Sequence, residues 1–230
     1  LITKEALKKQ KIPFLCGGTM MYFNSLEKPI NNLPVSTNQT KKQVNDELDK
    51  KGINFLFKKL KKIDPILAKK INSNDSQRIQ RGLEVYYISG KTLSSFHNEK
   101  IPEQKQYDLL KLALWPKDRE RLHTIIEDRV SLMLKNGLIE EVEGILKMYP
   151  NIDDSYPSFR SVGYRQTYSY LKNHISKKEL NDRLIFATRQ LAKRQMTWMK
   201  KMSNLEIFDP FDKQLIKDIN NRIEIFLTKK

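Results

Sequence analysis

Apolar and polar positions fall along this chain in blocks whose period changes several times. Residues 3–11, "TKEALKKQK", read as the end of a polar helix. Ile12 to Cys16 is a short apolar run bounded by Pro13 and Gly17, and it predicts a first strand. Met20 to Leu26 resumes as a helix, and Pro29 to Thr40, rich in Asn, Pro and Ser, is a loop. From Lys41 to about Gly90 the pattern is helical and highly charged, with Asp64-Pro65 marking a helix start. Lys91 to Gln106 is irregular. Tyr107 to Trp115, "YDLLKLALW", is apolar enough for a buried strand that Pro116 closes. Asp118 caps a helix running to Asn136-Gly137, two residues that tolerate the left-handed conformation. Further helices are predicted at Leu138–Tyr149, Val162–Lys172 and Lys178–Met202, with a loop over residues 151–161. "LEIFD", Leu205 to Asp209, is the last short strand, and a terminal helix follows.

Three short strands separated by helices imply parallel pairing, because a parallel return needs a long crossover. The expected fold is α/β, mostly helical, with a charged all-helical insertion between strands one and two. The expected divisions are 1–34 for the first part of the core, 35–104 for the insertion and 105–230 for the second part.

Charge narrows the partners. The 230 residues carry 43 Lys and Arg against 27 Asp and Glu, a formal net charge of +16. That excess favours nucleic acid, a phosphorylated ligand or an anionic membrane. Lys58-Lys59 and Lys61-Lys62 read as ordinary solvated helix faces. Cys16 is the only cysteine, which excludes an internal disulfide and a cysteine-based zinc site. It ends an apolar run and reads as a small buried hydrophobe. His97, His123 and His174 lack metal-ligand spacing. No apolar run reaches membrane-spanning length, and no signal peptide is visible. The chain opens on Leu1 already in helical sequence, as a fragment would. The cytoplasm is the default compartment.

Several positions carry candidate chemistry. On the helix after Asp118, Leu122, Ile125, Ile126 and Met133 share one face, and Arg129 falls within it. A guanidinium there is a buried salt bridge, an arginine that snorkels to the edge, or one reaching inward to a phosphate. In "ATRQLAKRQMTWMKK", Leu184, Ala187, Leu191, Trp198 and Met202 form an apolar stripe, Arg189, Lys193 and Lys200 lie opposite, and Arg194 and Lys201 flank it. No acid follows Glu179 and Asp182 on that helix, so its face suits a phosphate backbone. In "NDSQRIQRGLEVYYISGK" Ile79, Leu83 and Tyr86 face inward, with Arg78 and Arg81 on the other side. "RSVGYRQ" sets Arg160, Arg165 and Tyr164 at a helix start, where phosphate is attracted and a tyrosine can stack on an unpaired base. Gly17-Gly18-Thr19 stands at a strand-to-helix junction, either a plain tight turn or a place where backbone approaches a ligand.

Taken in order, "PFLCGGTMMYF", "NDSQRIQRGLEVYYISGKTLSSF", "DRERLHTIIEDRVSLMLKNGLIEEVEGIL", "SVGYRQTYSYL" and "ATRQLAKRQMTWMKK" resemble bacterial tRNA dimethylallyltransferases, also called tRNA isopentenyltransferases, over nearly the whole chain. The resemblance implies a P-loop-kinase-like parallel-sheet core with a helical insertion that grips a tRNA anticodon stem-loop. It implies transfer of a dimethylallyl group from dimethylallyl diphosphate to N6 of the adenosine 3′ of the anticodon, in tRNAs reading U-initial codons. By the same resemblance Thr19, with Gly17 and Gly18, lies near the target adenosine and Arg129 contacts the diphosphate. Gln77, Arg78, Ile79, Gln80 and Arg81 fall in a tRNA-contacting segment. So do Arg160, Ser161, Val162, Gly163, Tyr164 and Arg165. Lys193, Arg194, Gln195, Met196, Thr197, Trp198, Met199 and Lys200 fall in a third, and Lys41 aligns with a further contact.

The resemblance also implies a magnesium ion, and a monomer that is not membrane-bound. The family's phosphate-cradling loop, Gly-x-Thr-x-x-Gly-Lys-Thr, and the Asp that serves as base toward N6 have no counterpart in these residues. The magnesium-binding Thr belongs to that loop. The chain is therefore expected to be inactive by itself, and a non-catalytic tRNA-binding fragment is the alternative reading. A kinase-like nucleotide binder of the same fold predicts ATP affinity but leaves the tRNA-contacting helices unexplained.

Overall fold

The computed structural model describes residues 2–27, 32–99, 107–154 and 156–228. In chain order the helices are α1 (Ile2–Lys8), α2 (Met20–Glu27), α3 (Asn38–Ile63), α4 (Pro65–Lys70), α5 (Ser76–Ser89) and α6 (Leu93–Asn98). Strand β1 (Lys111–Leu114) precedes α7 (Arg119–Lys135), α8 (Leu138–Met148), a 3₁₀ turn at Pro157–Arg160, α9 (Tyr164–Leu171) and α10 (Lys177–Met199). Strand β2 (Leu205–Phe208) and α11 (Leu215–Thr228) complete the order. The chain divides into a helical unit, Tyr22–Tyr107, and a sheet-bearing unit formed by Leu1–Met21 with Asp108–Lys230.

The helical unit is built around Val44, Leu56, Leu60, Ile79, Leu83 and Val85, all essentially excluded from water. Gly82 lets α5 lie close to α3 and α4, since a Cβ there would meet Leu67 Cδ2 at 2.8 Å and Leu60 Cδ1 at 2.9 Å. Gly52 breaks α3 with φ 75° and ψ 167°, a left-handed φ that favours glycine. Asp64 ends α3 and starts α4, with Pro65 at the first helical position, where its missing N–H costs nothing. The Asp64 carboxylate is buried. One oxygen accepts from Leu67 N and the other from Ser94 N, both at 2.9 Å, so one side chain caps the starts of α4 and α6. Glu47 accepts from Lys59 Nζ at 2.8 Å and from the Tyr87 hydroxyl at 3.1 Å. Burial pulls the Lys59 ammonium down, but its hydrogen bonds to Glu47 and Tyr87 outweigh that and leave it raised. Burial raises Tyr87.

In the sheet-bearing unit β1 and β2 run parallel, with Lys111 opposite Leu205 and Leu114 opposite Phe208. Val130, Leu138, Val142, Phe159, Ile175, Leu180 and Leu184 form its core, supplied mainly by α7, α8 and α10. Ser176 and Glu179 close the start of α10 reciprocally, Glu179 N to Ser176 Oγ at 3.2 Å and Ser176 N to Glu179 Oε2 at 2.8 Å. The backbone hydrogen bond from Ser176 holds the Glu179 carboxyl below its ordinary range. Arg222 on α11 forks onto Glu206 of β2 with two bonds of 2.6 Å.

Four expectations are corrected. Residues 12–16 form no strand; the segment is irregular, with Phe14 79% exposed. Pro13 has no N–H to donate, and among the described residues no strand pairs with the segment. Cys16 is exposed rather than buried, because its run never enters a sheet. The strand expected at Tyr107–Trp115 pairs only over Lys111–Leu114, since its partner offers four residues. The irregular stretch from Lys91 contains α6, which Thr92 caps through Ser95 N at 3.2 Å, while residues 100–106 lie outside the described residues.

Candidate functional site

Three helices of the sheet-bearing unit supply a cleft of about 120 Å³ lined by Arg129, Val130 and Met133, by Val162 and Gly163 at the start of α9, and by Leu184, Thr188 and Leu191 of α10. The sequence placed Arg129 within a buried face. The structure places it, exposed, at the edge of that face. Ile126 and Val130, four residues apart, are the buried positions of α7, and Arg129 sits one residue, or 100°, to the side. Ile125 is likewise exposed. Arg129 makes no ion pair among the described residues, and no carboxylate lines the cleft.

Gly163 shapes the same wall. Its φ of 104° and ψ of −71° are open to glycine and strained for other residues. Its N–H donates to Gln166 Oε1 at 3.0 Å, and its carbonyl accepts from the Thr167 hydroxyl at 3.0 Å, which fixes the turn. Tyr164, a candidate for base stacking, is half-buried. Its ring lies 6.0 Å from that of Phe159, and its hydroxyl donates to Glu141. That hydrogen bond holds the phenol above its ordinary range. Arg160, Ser161 and Arg165 are exposed beside it.

Gly17, Gly18 and Thr19 are exposed, and the Gly18 carbonyl accepts from Gln195 Nε2 of α10 at 3.1 Å. A Cβ on Gly18 would crowd that amide, so the glycine leaves room for the approach. Gln195 thus ties the turn to the basic helix. Lys193 and Arg194 are exposed, Met196 and Met199 are half-buried, and the Thr197 hydroxyl returns to the Lys193 carbonyl at 2.9 Å. Lys200 lies over the Trp115 ring at 5.7 Å. The predicted apolar stripe of α10 ends early: Leu184 is buried, but Trp198 is 46% exposed because the helix runs on past the core. Arg189 does not join the open basic face. It pairs with Glu127 of α7, a helix-to-helix contact that a single-helix wheel cannot show.

Lys41 and residues 77–81 belong to the helical unit. Lys41 and Gln77 are exposed. Arg78 pairs with Asp75 at 2.9 Å, and Gln80 donates to Asn45 at 2.7 Å. Arg81 donates to Ser36 and to the Pro34 carbonyl, which fastens the preceding loop onto α5. Ile79 is wholly buried in the core, so it seats the helix and offers no contact surface.

Sequence reasoning missed Met133, Thr188 and the packing of Arg121 against Phe211, at 4.3 Å from the ring centroid. The sequence marks Met133 only as an apolar-face residue. Nothing in local sequence marks Thr188, since its role comes from which helix it faces. Among the described residues no three His, Cys, Asp or Glu side chains gather as a metal-ligand set. No helix among the described residues is long and apolar enough to cross a membrane.

A family model described as IPP transferase matches residues 1–202. The tRNA dimethylallyltransferase of Methylobacillus flagellatus is 42% identical over 95% of this chain and 69% of its own length. That of Vesicomyosocius okutanii is 48% identical over 86% of this chain and 64% of its own. The chain therefore spans about two thirds of the length of these curated relatives. The full-length tRNA isopentenylpyrophosphate transferase of Bacillus halodurans, a crystal structure, shares 29% identity over 99% of this chain and 71% of its own, with a TM-score of 0.62. A eukaryotic dimethylallyltransferase acting on tRNA shares 25% over 100% of this chain and 60% of its own, with a TM-score of 0.78. With a family model spanning nearly nine tenths of its residues, this chain belongs to the IPP transferase family.

Proposed function

We propose that this chain serves a tRNA dimethylallyltransferase, holding the tRNA anticodon stem-loop and the leaving diphosphate while the prenyl group moves to adenosine N6. In that reaction the N6 lone pair forms a bond to C1 of the dimethylallyl group. The C1–O bond breaks, its electron pair leaves with the diphosphate, and N6 gives up a proton to a base. The observation that carries the reading is the cleft: an unpaired guanidinium at the rim of a small pocket with mostly apolar walls. An anion joined to a short apolar group matches that pairing. Arg129 binds the diphosphate oxygens bidentately and stabilises the charge that grows as the C–O bond breaks. The turn at Thr19, held to α10 through Gln195, supports a role beside the target base. The exposed Lys193, Arg194 and Lys200 suit the tRNA backbone. Magnesium would accompany the diphosphate and offset its charge. The alternative is a tRNA-binding chain without chemistry.

The test combines this chain with magnesium, labelled dimethylallyl diphosphate and unmodified tRNA that reads U-initial codons. The expected result is salt-sensitive tRNA binding with no label transferred by the chain alone. In a protein that also carries the phosphate loop, Arg129→Ala should cut transfer by roughly a hundredfold or more and spare tRNA binding. Equal loss of binding and transfer would mark Arg129 as structural.

A further inference from the structure

The cleft beside Arg129 has a mouth and a back. At the mouth Arg129 and Leu191 are exposed, while Val130 and Leu184 behind them are essentially excluded from water. Met133, half-buried, follows Arg129 on α7 by four residues, so it stands one turn, about 6 Å, further along the helix axis. Its end faces the turn before α9, since a Cβ on Gly163 would lie 3.7 Å from Met133 Cε, an ordinary van der Waals distance. The Met133 side chain therefore spans the gap between α7 and the Gly163 turn.

Beyond the guanidinium the walls are hydrocarbon. Thr188 is the one other polar side chain lining the cleft, and its hydroxyl is spent on the Leu184 carbonyl at 2.8 Å. The Gly163 N–H is spent on Gln166 Oε1. Size narrows the occupant further. A water-sized group takes about 30 Å³, so a cleft of about 120 Å³ holds roughly four of them. A dimethylallyl group has four carbons beyond C1, and a geranyl group has nine. With C–C bonds of about 1.5 Å, the far end of an extended dimethylallyl chain lies about 4 Å from C1 and that of geranyl about 9 Å. Only the first stops short of a residue one turn away.

We infer that Met133 sets the length of the prenyl chain, closing the cleft behind a five-carbon group whose diphosphate lies on Arg129. This rests on the proposed transfer reaction and names the residue that selects its donor. Methionine suits the place, because an unbranched, flexible thioether settles around two terminal methyl groups. Met133→Ala removes the bridge to Gly163 and opens room for a second isoprene unit. The bond changes are then those of the shorter donor: N6 bonds to C1, the C1–O pair leaves with the diphosphate, and N6 loses a proton to the base.

The test is a competition in one tube. Dimethylallyl and geranyl diphosphates at equal concentration, magnesium and unmodified tRNA that reads U-initial codons are mixed with a protein that also carries the phosphate loop. Mass spectrometry of the digested tRNA counts the two modified adenosines. Both donors meet the same enzyme molecules, so the product ratio does not depend on how much of a variant is folded. The wild type should favour dimethylallyl by about a hundredfold or more, and Met133→Ala should move the ratio towards geranyl by about tenfold or more. Met133→Leu should stay near the wild-type ratio, and Met133→Phe, which fills the cleft, should raise KM for dimethylallyl diphosphate. Met148→Ala, at an exposed methionine of α8, is the control and should keep the ratio. A Met133→Ala ratio within about twofold of wild type overturns the inference and leaves the proposed function standing. So does a wild type that takes geranyl as readily as dimethylallyl. Transfer of neither group by the wild type overturns the proposed function, and this inference with it.

Discussion

In the helical unit α3 to α6 all pack into the core, whereas in the sheet-bearing unit the strands and the last helix contribute little to it. In the first, α3, α4, α5 and α6 close on a shared core, and even the charged groups Asp64, Glu47 and Lys59 are drawn into defined partnerships. In the second, α7 to α10 make a comparable core, but the strands do little of that work. Ala113 is buried, whereas Leu114 and Ile207 are each more than half exposed, and neither β2 nor α11 has a buried residue. Parallel strands are ordinarily covered on both faces. Within these residues the buried apolar surface lies in helix packing that neighbours in sequence can supply, not in the two-stranded sheet.

The largest expected effect tests that contrast directly. Leu60→Ala or Leu83→Ala should cost about 2–5 kcal/mol in denaturant unfolding, because each empties a filled site. Ile207→Ala on the exposed strand should cost below about 1 kcal/mol. Equal losses would break the comparison. Next, Asp64→Ala strips the caps from two helices and leaves two N–H groups without a partner, an expected cost of about 2–4 kcal/mol. Its thermal midpoint should fall well below that of Asp75→Ala, which removes one exposed cap.

A smaller pair of changes sharpens the packing claim. Gly82→Ala pushes a methyl into Leu60 and Leu67 and should destabilise by about 1–3 kcal/mol. Gly144→Ala, on α8 with open space around it, should stabilise by up to about 1 kcal/mol. The smallest effect is set by pH. Lys59 is raised in the folded chain, so its contribution is full below its unfolded value near 10.4 and fades as pH rises through the folded one. Glu179 is lowered, so the α10 cap contributes above the ordinary carboxylate range and fades as pH falls through its folded value. Amide exchange should therefore show the helical unit loosening at alkaline pH, a response that Glu47→Gln weakens. It should show the start of α10 loosening in acid, a response that Ser176→Ala weakens.

Much of the fold was legible because it is local. Asp64-Pro65 and Asp118 announce helix starts through hydrogen bonds that span three residues. The motifs of the family were equally legible as strings. Strand existence was not, since Ile12–Cys16 reads as a strand only if a neighbour pairs with it, and pairing is not a local property.

At the candidate site the sequence by itself named Arg129, Gly163, the Gly17-Gly18-Thr19 turn and the basic end of α10 as candidates, because residue type and order suffice for that. Only the tertiary structure decided how each is used. It moved Arg129 from a buried face to the edge of a cleft and spent Arg189 on Glu127, Arg81 on a loop and Ile79 on the core. It also removed Asp64 from the surface and set its carboxylate on the starts of two helices. The physical reason is that a charge acts through the partner it meets, and partners distant in sequence meet only when the chain has folded.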